Sequence, residues 1–338
     1  MPRPFLKWVG GKRKLVSTLL NYVPARFGVY HEPFVGGGAL FFALASLNTA
    51  SGGASGGLAE APPCDASGGA SGGLGEAPPC DASSDLAEAP SCDASGDASG
   101  GASSALSEVF LSDTNVRLVR TYQGVKEHVE DVIFLLESYP RSRGFFEEFA
   151  KKDIDARSDA EVAAWFIYLN HMCYNGLYRE NASGQFNVGY GKCEDAKIFD
   201  AENLRACSRA LANATIQAAD FQFSMPRAKR GDFVYCDPPY LPESGTPFVG
   251  YGGRRFGEED HVRLRDTVIH LLDIGVNVLV SNAATEKAKN WYSDPRFSVE
   301  EVVAQRCVSR DSGGRKSTIE LLIRRRYEQQ LFQGWVAR

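Results

Sequence analysis

No stretch of this sequence reaches the roughly 18 consecutive apolar residues that a membrane helix needs, so no membrane partner is expected. The opening residues, MPRPFLKWVGGKRKL, lack the apolar core and small-residue cleavage site of a secretory signal. The eight cysteines form no C-x-x-C pair and no tight group with histidine at zinc-ligand spacing. His171 and Cys173 stand two apart, which a partly buried helix face explains better than a metal does. No metal is expected, and the compartment reads as reducing and cytoplasmic. Positive charge is missing from one segment entirely. Between Asn48 and Ser107 there are eight acids (Glu60, Asp65, Glu76, Asp81, Asp85, Glu88, Asp93, Asp97) and no lysine or arginine. The formal charge of −5 is therefore local in origin, since the rest of the chain carries 37 basic against 34 acidic residues. A net +3 outside the segment permits phosphate binding without proving it.

That segment is a repeat. ASGGLAEAPPCDASGG begins at Ala54, returns as ASGGLGEAPPCDASSD at Ala70, and recurs shortened as LAEAPSCDASG from Leu86. Large apolar residues are nearly absent, so stacking of the units would bury too little surface to offset their ordering entropy. The expectation is an acidic, flexible insertion over 48–107, with Cys64, Cys80 and Cys92 carried along by the repeat. The flanks read as α/β. Val29 to Phe34 is an apolar run ending in glycines, followed by a helix from Ala39 to Leu47. Val109 to Leu111, Thr215 to Ala218, Phe233 to Cys236 and Val276 to Val280 read as further strands, with a helix from Glu258 to Ile274. Strand and helix in alternation imply a Rossmann-like, doubly wound, mostly parallel sheet. The domain layout expected is a catalytic domain from 1–47, 108–114 and 201–328, and a mainly helical lobe over 115–200. A helix near Asp159 to Cys173 would carry Val162, Phe166, Leu169 and Cys173 on one side. Residues 329–338 form a tail.

Three places carry candidate chemistry. Glu32-Pro33-Phe34-Val35-Gly36-Gly37-Gly38 follows a strand and precedes a helix, where bare backbone can approach a ligand at a switch point. A tight turn would need the same glycines. Asp113 ends the next strand, where a carboxylate can accept both hydroxyls of a ribose or can simply cap a helix. Asp237-Pro238-Pro239-Tyr240 is far more specific, arising by chance in on the order of one chain in a thousand of this length. It closes the apolar strand Phe233 to Cys236, and chemistry at an aromatic amino group asks for this arrangement. An aromatic amine is a poor nucleophile because its lone pair is delocalised into the ring. A carboxylate (Asp237) and a nearby backbone carbonyl that accept its two N–H bonds pull charge back onto nitrogen. Prolines preorganise those acceptors, and the Tyr240 face stacks on a base that has left its helix.

On these residues the chain resembles the Dam-type, D12-class DNA adenine-N6 methyltransferases. The resemblance rests on Phe5-Leu6-Lys7-Trp8-Val9-Gly10-Gly11-Lys12, the Glu32 glycine loop, Leu111-Ser112-Asp113-Thr114-Asn115, Tyr168-Leu169-Asn170 and Tyr174-Asn175-Gly176-Leu177-Tyr178-Arg179. Phe186-Asn187-Val188, the Asp237 tetrapeptide and Val280-Ser281-Asn282 complete it, in the order of that subgroup. It covers essentially the whole chain except the insertion and about the last dozen residues. The resemblance implies S-adenosyl-L-methionine as methyl donor and double-stranded DNA as partner, with the enzyme acting as a monomer. It implies that Trp8 packs on the cofactor, that Lys12 and Asp113 hydrogen-bond it, and that Glu32, Gly36, Asp220 and Asp237 border it. It places Leu177 and Arg179 at the outer base pair of the target, Lys7 at the first guanine, and Tyr174 and Asn175 in the space the adenine vacates. GATC is the target it implies. One departure is the length of the insertion, about 60 residues where the family has a short link. In a doubly wound sheet that link lies opposite the catalytic edge.

Two other readings use the same features. An RNA adenine or a protein glutamine amide can be methylated through a similar Pro-Pro-Tyr loop. A DNA-binding module that had lost catalysis would also keep the surface, though the intact Lys12, Asp113, Asp237 and Tyr240 argue against it.

Overall fold

The computed structural model describes residues 1–51, 106–191, 197–241, 256–305 and 317–326. Most of the acidic repeat, and all of the 329–338 tail, lie outside the described residues.

The strands are β1 (Tyr30–Glu32), β2 (Val109–Asp113), β3 (Ala214–Ala218), β4 (Phe233–Cys236), β5 (Asn277–Ala283), β6 (Phe297–Gln305) and β7 (Ser317–Arg325). They form one seven-stranded sheet in the order β3-β2-β1-β4-β5-β7-β6. Neighbours from β3 through β5 are parallel, and β7 runs antiparallel to both β5 and β6. The doubly wound, mostly parallel sheet expected from the sequence is what the structure contains. The chain direction of winding reverses between β1 and β4, so the carboxyl ends of these two strands flank the crevice where such sheets bind ligands.

Both faces of the sheet are covered, and the reason is visible in β4. Phe233 and Tyr235 point into one apolar cluster, Val234 and Cys236 into another on the opposite face. A strand buried on both sides needs an unbroken apolar run rather than an alternating one. The first cluster gathers α1 (Val16–Leu20), α2 (Ala39–Ser51), α3 (Val116–Glu127), α4 (Val129–Ser138), α5 (Arg143–Phe149), α6 (Asp159–Met172) and α7 (Ala201–Leu211). The second gathers α8 (Phe221–Ser224), α9 (Glu258–Asp273) and α10 (Glu286–Trp291).

The sequence left β6 and β7 unread. Arg324 pairs with Glu300 across the two strands at 2.9 Å. Glu300 and Glu301 interrupt β6, and the buried apolar run of β7, Leu321-Leu322-Ile323, is only three residues long between Glu320 and Arg324. Helix α6 also differs from the one-sided helix expected. It opens on a capping box of Ser158 and Glu161 and is buried nearly all round, from Ala160 through Asn170. Small residues allow this. A side chain at Gly124 of α3 would meet the Asp159 carbonyl at 2.3 Å, so the two helices touch backbone to backbone.

Candidate functional site

The carboxyl edge of β1, β2 and β4 assembles most of the residues singled out from the sequence. Asp237 follows β4 directly, and its carboxylate Oδ1 lies 2.9 Å from the Lys12 ammonium. Lys12 is buried, donates to the Gly10 carbonyl at 2.8 Å, and lies 4.8 Å from the centre of the Tyr240 ring. This ion pair compensates the Asp237 charge among the described residues. Pro238 is buried behind it, which fixes the loop.

Glu32 ends β1 beneath this pair. It is fully buried, accepts the Tyr30 hydroxyl at 2.9 Å, and burial pushes its pKa up to about 8. The Tyr30 hydroxyl and the Phe41 amide favour its charged form, while nearby Asp237 disfavours it further. The glycine loop after it takes the left-handed backbone conformation at Gly36 and Gly38, where a side chain would be strained. At Gly36 a Cβ would also strike the Trp8 indole at 2.6 Å. Trp8 therefore lies on bare backbone, and beyond it Phe166 and Tyr178 continue a stack of rings at centroid spacings of 6.2 and 6.4 Å. Asp113 ends β2 and holds the loop from the other side, accepting the Gly36 amide at 3.2 Å and the Asn115 amide at 3.0 Å. Burial raises its pKa, and those amides act against the rise. Asp220, just past β3, caps α8 through the Gln222 amide and pairs with Arg263 at 3.5 Å, so its carboxylate is already engaged.

The second group lies on the excursion from Cys173 to Tyr190, which doubles back through antiparallel bridges of Cys173 with Tyr190 and Glu180 with Phe186. Its backbone is clamped. The buried Asn170 side chain accepts the Lys7 amide at 2.8 Å and donates to the Lys7 and Gly176 carbonyls at 2.8 and 2.9 Å. Asn175 sits in the left-handed region at φ 55°, which asparagine tolerates better than most residues. Arg117 of α3 anchors the far end, reaching Glu180 at 3.2 Å and the Gly184 carbonyl at 2.7 Å. On this frame Lys7, Tyr174, Asn175 and Arg179 are exposed and Leu177 is half-buried. The Arg179 guanidinium rests on the Asn187 carbonyl at 3.1 Å. His171 and Cys173 are structural here, bonded to the backbone of Phe5 and Leu177 respectively.

Sequence reasoning passed over Glu320, which enters the first group from β7. Its carboxylate accepts the Tyr240 hydroxyl at 3.0 Å and lies 3.7 Å from Lys12. A lone acid inside Ile319-Glu320-Leu321-Leu322 was the only signal. Among the described residues no group of histidine, cysteine and acidic side chains could hold a metal ion, and no helix is long and apolar enough to cross a membrane.

The sequence matches the model of the family described as D12 class N6 adenine-specific DNA methyltransferase over residues 8–51 and 99–308. The gap in that match falls on the acidic repeat. Among curated proteins, the chain is 31% identical to the type II methyltransferase M1.LlaDCHI of Lactococcus lactis subsp. cremoris, covering 95% of this chain and 94% of that one. It is 30% identical to the DNA adenine methylase of Serratia marcescens, over 95% and 97% of the two chains. Its identity to the DNA adenine methylase of Escherichia coli K12 is 28%, over 95% and 94%.

Proposed function

The chain belongs to the D12 class of N6 adenine-specific DNA methyltransferases, and from that premise we propose that it methylates a flipped-out adenine within GATC, using S-adenosylmethionine. The observation that carries the reading is Asp237 at the carboxyl end of β4, its carboxylate held by the buried Lys12 ammonium beside the Tyr240 ring. A carboxylate has more acceptor sites than one ammonium fills, and so can take a further N–H. The adenine amino group supplies one. Accepting that bond, together with a backbone carbonyl of the loop, restores lone-pair density to nitrogen at the moment it attacks. Pro238 keeps the acceptors still, and the Tyr240 ring offers a stacking face to a base taken out of the duplex.

The residues present suit the donor. S-adenosylmethionine, when bound, supplies an electrophilic methyl group on a positively charged sulfur. Asp237 and Glu320 flank Lys12, and Asp113 accepts the amide of the Gly36 turn that lies against Trp8. Trp8, Lys12, Glu32, Gly36 and Asp113 would hold it. Asp220 would border its adenine from the end of β3. Tyr174, Asn175, Leu177 and Arg179, on the Cys173–Tyr190 excursion, and Lys7, tied to it through Asn170, would face the duplex because they project from a clamped backbone. The choice of GATC rests on the match of Lys7, Leu177 and Arg179 to family positions that read it.

Labelled S-adenosylmethionine offered with duplex DNA, RNA or a glutamine-bearing peptide tests the substrate. Label should enter duplex DNA as N6-methyladenine, and plasmid GATC sites should change their response to methylation-sensitive nucleases. Label in RNA or peptide alone would overturn the reading, and methylation at an unrelated DNA sequence would overturn only the GATC assignment.

A further inference from the structure

Strand β7 places Glu320 opposite Ala283, the last residue of β5, and so at the same carboxyl edge as Asp237. Its neighbours Leu321 and Leu322 are fully buried, and the Glu320 side chain itself is only 16% exposed. A carboxylate there is expensive unless it is paired. It has two partners, and both belong to the catalytic loop's surroundings. The Tyr240 hydroxyl donates to it at 3.0 Å, and the Lys12 ammonium lies 3.7 Å away, between Glu320 and Asp237.

We propose that Glu320 is a positioning residue for methyl transfer: it fixes the Tyr240 ring by its hydroxyl and offers Lys12 a second counter-ion. The two contacts act on different parts of the step. A tyrosine tethered at its hydroxyl presents one face at one angle, which a stacked base requires. An ammonium shared between two carboxylates can lean toward Glu320 when an N–H reaches Asp237, leaving the Asp237 charge to polarise the amine. Burial and the neighbouring Asp237 raise the Glu320 pKa, and Lys12 and the Tyr240 hydroxyl act against that rise. The tyrosine hydroxyl is correspondingly held neutral, as a donor, by burial beside Asp237 and Glu320.

This inference rests on the proposed reading for the identity of the base, and the test separates the two. Glu320→Ala removes both contacts, Glu320→Gln keeps an acceptor for Tyr240 but drops the charge, and Tyr240→Phe keeps the ring alone. With duplex DNA and S-adenosylmethionine, Glu320→Ala should lower kcat by about tenfold to a hundredfold, with both KM values changed by less than about threefold. Glu320→Gln should recover part of that loss. A kcat within about twofold of the unaltered enzyme for Glu320→Ala, or a loss confined to KM, overturns the proposal. If Glu320→Ala does not fold, the same criterion applied to Glu320→Gln decides it. A double-mutant cycle of Tyr240→Phe with Glu320→Ala, followed by urea unfolding, needs no activity at all. Its unfolding constants should depart from additivity by at least about twofold, and full additivity would likewise overturn the proposal. An unaltered protein that transfers no methyl group to duplex DNA would instead sink the reading of substrate, with the unfolding cycle still deciding the tether.

Discussion

The two functional regions are built on opposite plans. Around Asp237 the ionisable side chains are themselves buried and paired, with Lys12 held between Asp237 and Glu320, and Glu32 sealed under them. On the Cys173–Tyr190 excursion the polar investment goes into the backbone, through Asn170 and Arg117, while the outward side chains stay in water. Chemistry on an amine needs charges preorganised in a place of low dielectric, since reorganising them at the moment of reaction would raise the barrier. Reading a duplex needs side chains that can desolvate against base edges, on a frame that does not yield. The contrast makes the first region sensitive to charge and the second sensitive to shape.

The strongest way to break the comparison is at Asp237. Asp237→Ala should lower kcat by about a thousandfold or more while leaving DNA affinity near normal, because the role proposed for it is on the amine and not in the groove. A single-turnover assay beside a DNA-binding titration separates the two quantities, and near-normal turnover would remove Asp237 from the chemistry.

Glu32 tests whether the first region is held by burial. Its folded pKa of about 8 lies above its ordinary value near 4.5, so between those values the folded protein binds a proton that the unfolded chain has lost. Its contribution to stability is then complete below about pH 4.5 and declines as pH rises toward 8, by about 1.4 kcal/mol per unit. Glu32→Gln, which cannot ionise, should flatten that part of the profile and be relatively more stable at pH 8 than at pH 5. Urea unfolding across that range checks it; parallel profiles for the two proteins would mean that Glu32 does not stay protonated.

Asn170 tests the frame of the second region. Asn170→Ala strands the Lys7 amide and the Lys7 and Gly176 carbonyls in the interior, so a loss of about 3 kcal/mol is expected. The KM for DNA should rise with it, and a variant as stable as the unaltered protein would show that the clamp is dispensable.

Arg179 has the smallest and most selective effect. Its guanidinium now rests on the Asn187 carbonyl and is exposed, free to turn toward a guanine edge. Arg179→Ala should cost about 1–3 kcal/mol at one base-pair position and relax discrimination there. Methylation of GATC duplexes carrying single substitutions measures this, and an even loss over all sequences would make Arg179 a phosphate contact instead.

Much of this was legible before folding. The Asp237-Pro238-Pro239-Tyr240 run at the end of an apolar strand stated the chemistry by itself, because few backbones put a carboxylate, two prolines and a ring in that order. The β4 boundaries, Phe233 to Cys236, were also evident, since a strand buried on both faces leaves a continuous apolar signature. The repeat of 48–107 declared its composition without help, and the family match breaks across it. What local sequence could not state was convergence. Glu320 and Lys12 are more than three hundred positions apart, and only the antiparallel insertion of β7 beside β5 brings them within 3.7 Å. Nothing near Glu320 in sequence distinguishes it from an acid on a solvated strand, because pairing and desolvation belong to its neighbours in space. The same holds for Asn170, whose three hydrogen bonds join the amino-terminal segment to the turn at Gly176. The sequence by itself determined the kind of chemistry and the winding of the sheet, through local patterns of charge, proline and apolar runs. Tertiary structure alone decided which distant charges share Lys12 and which backbone carries the outward side chains, because those energies exist only once water has been removed between them.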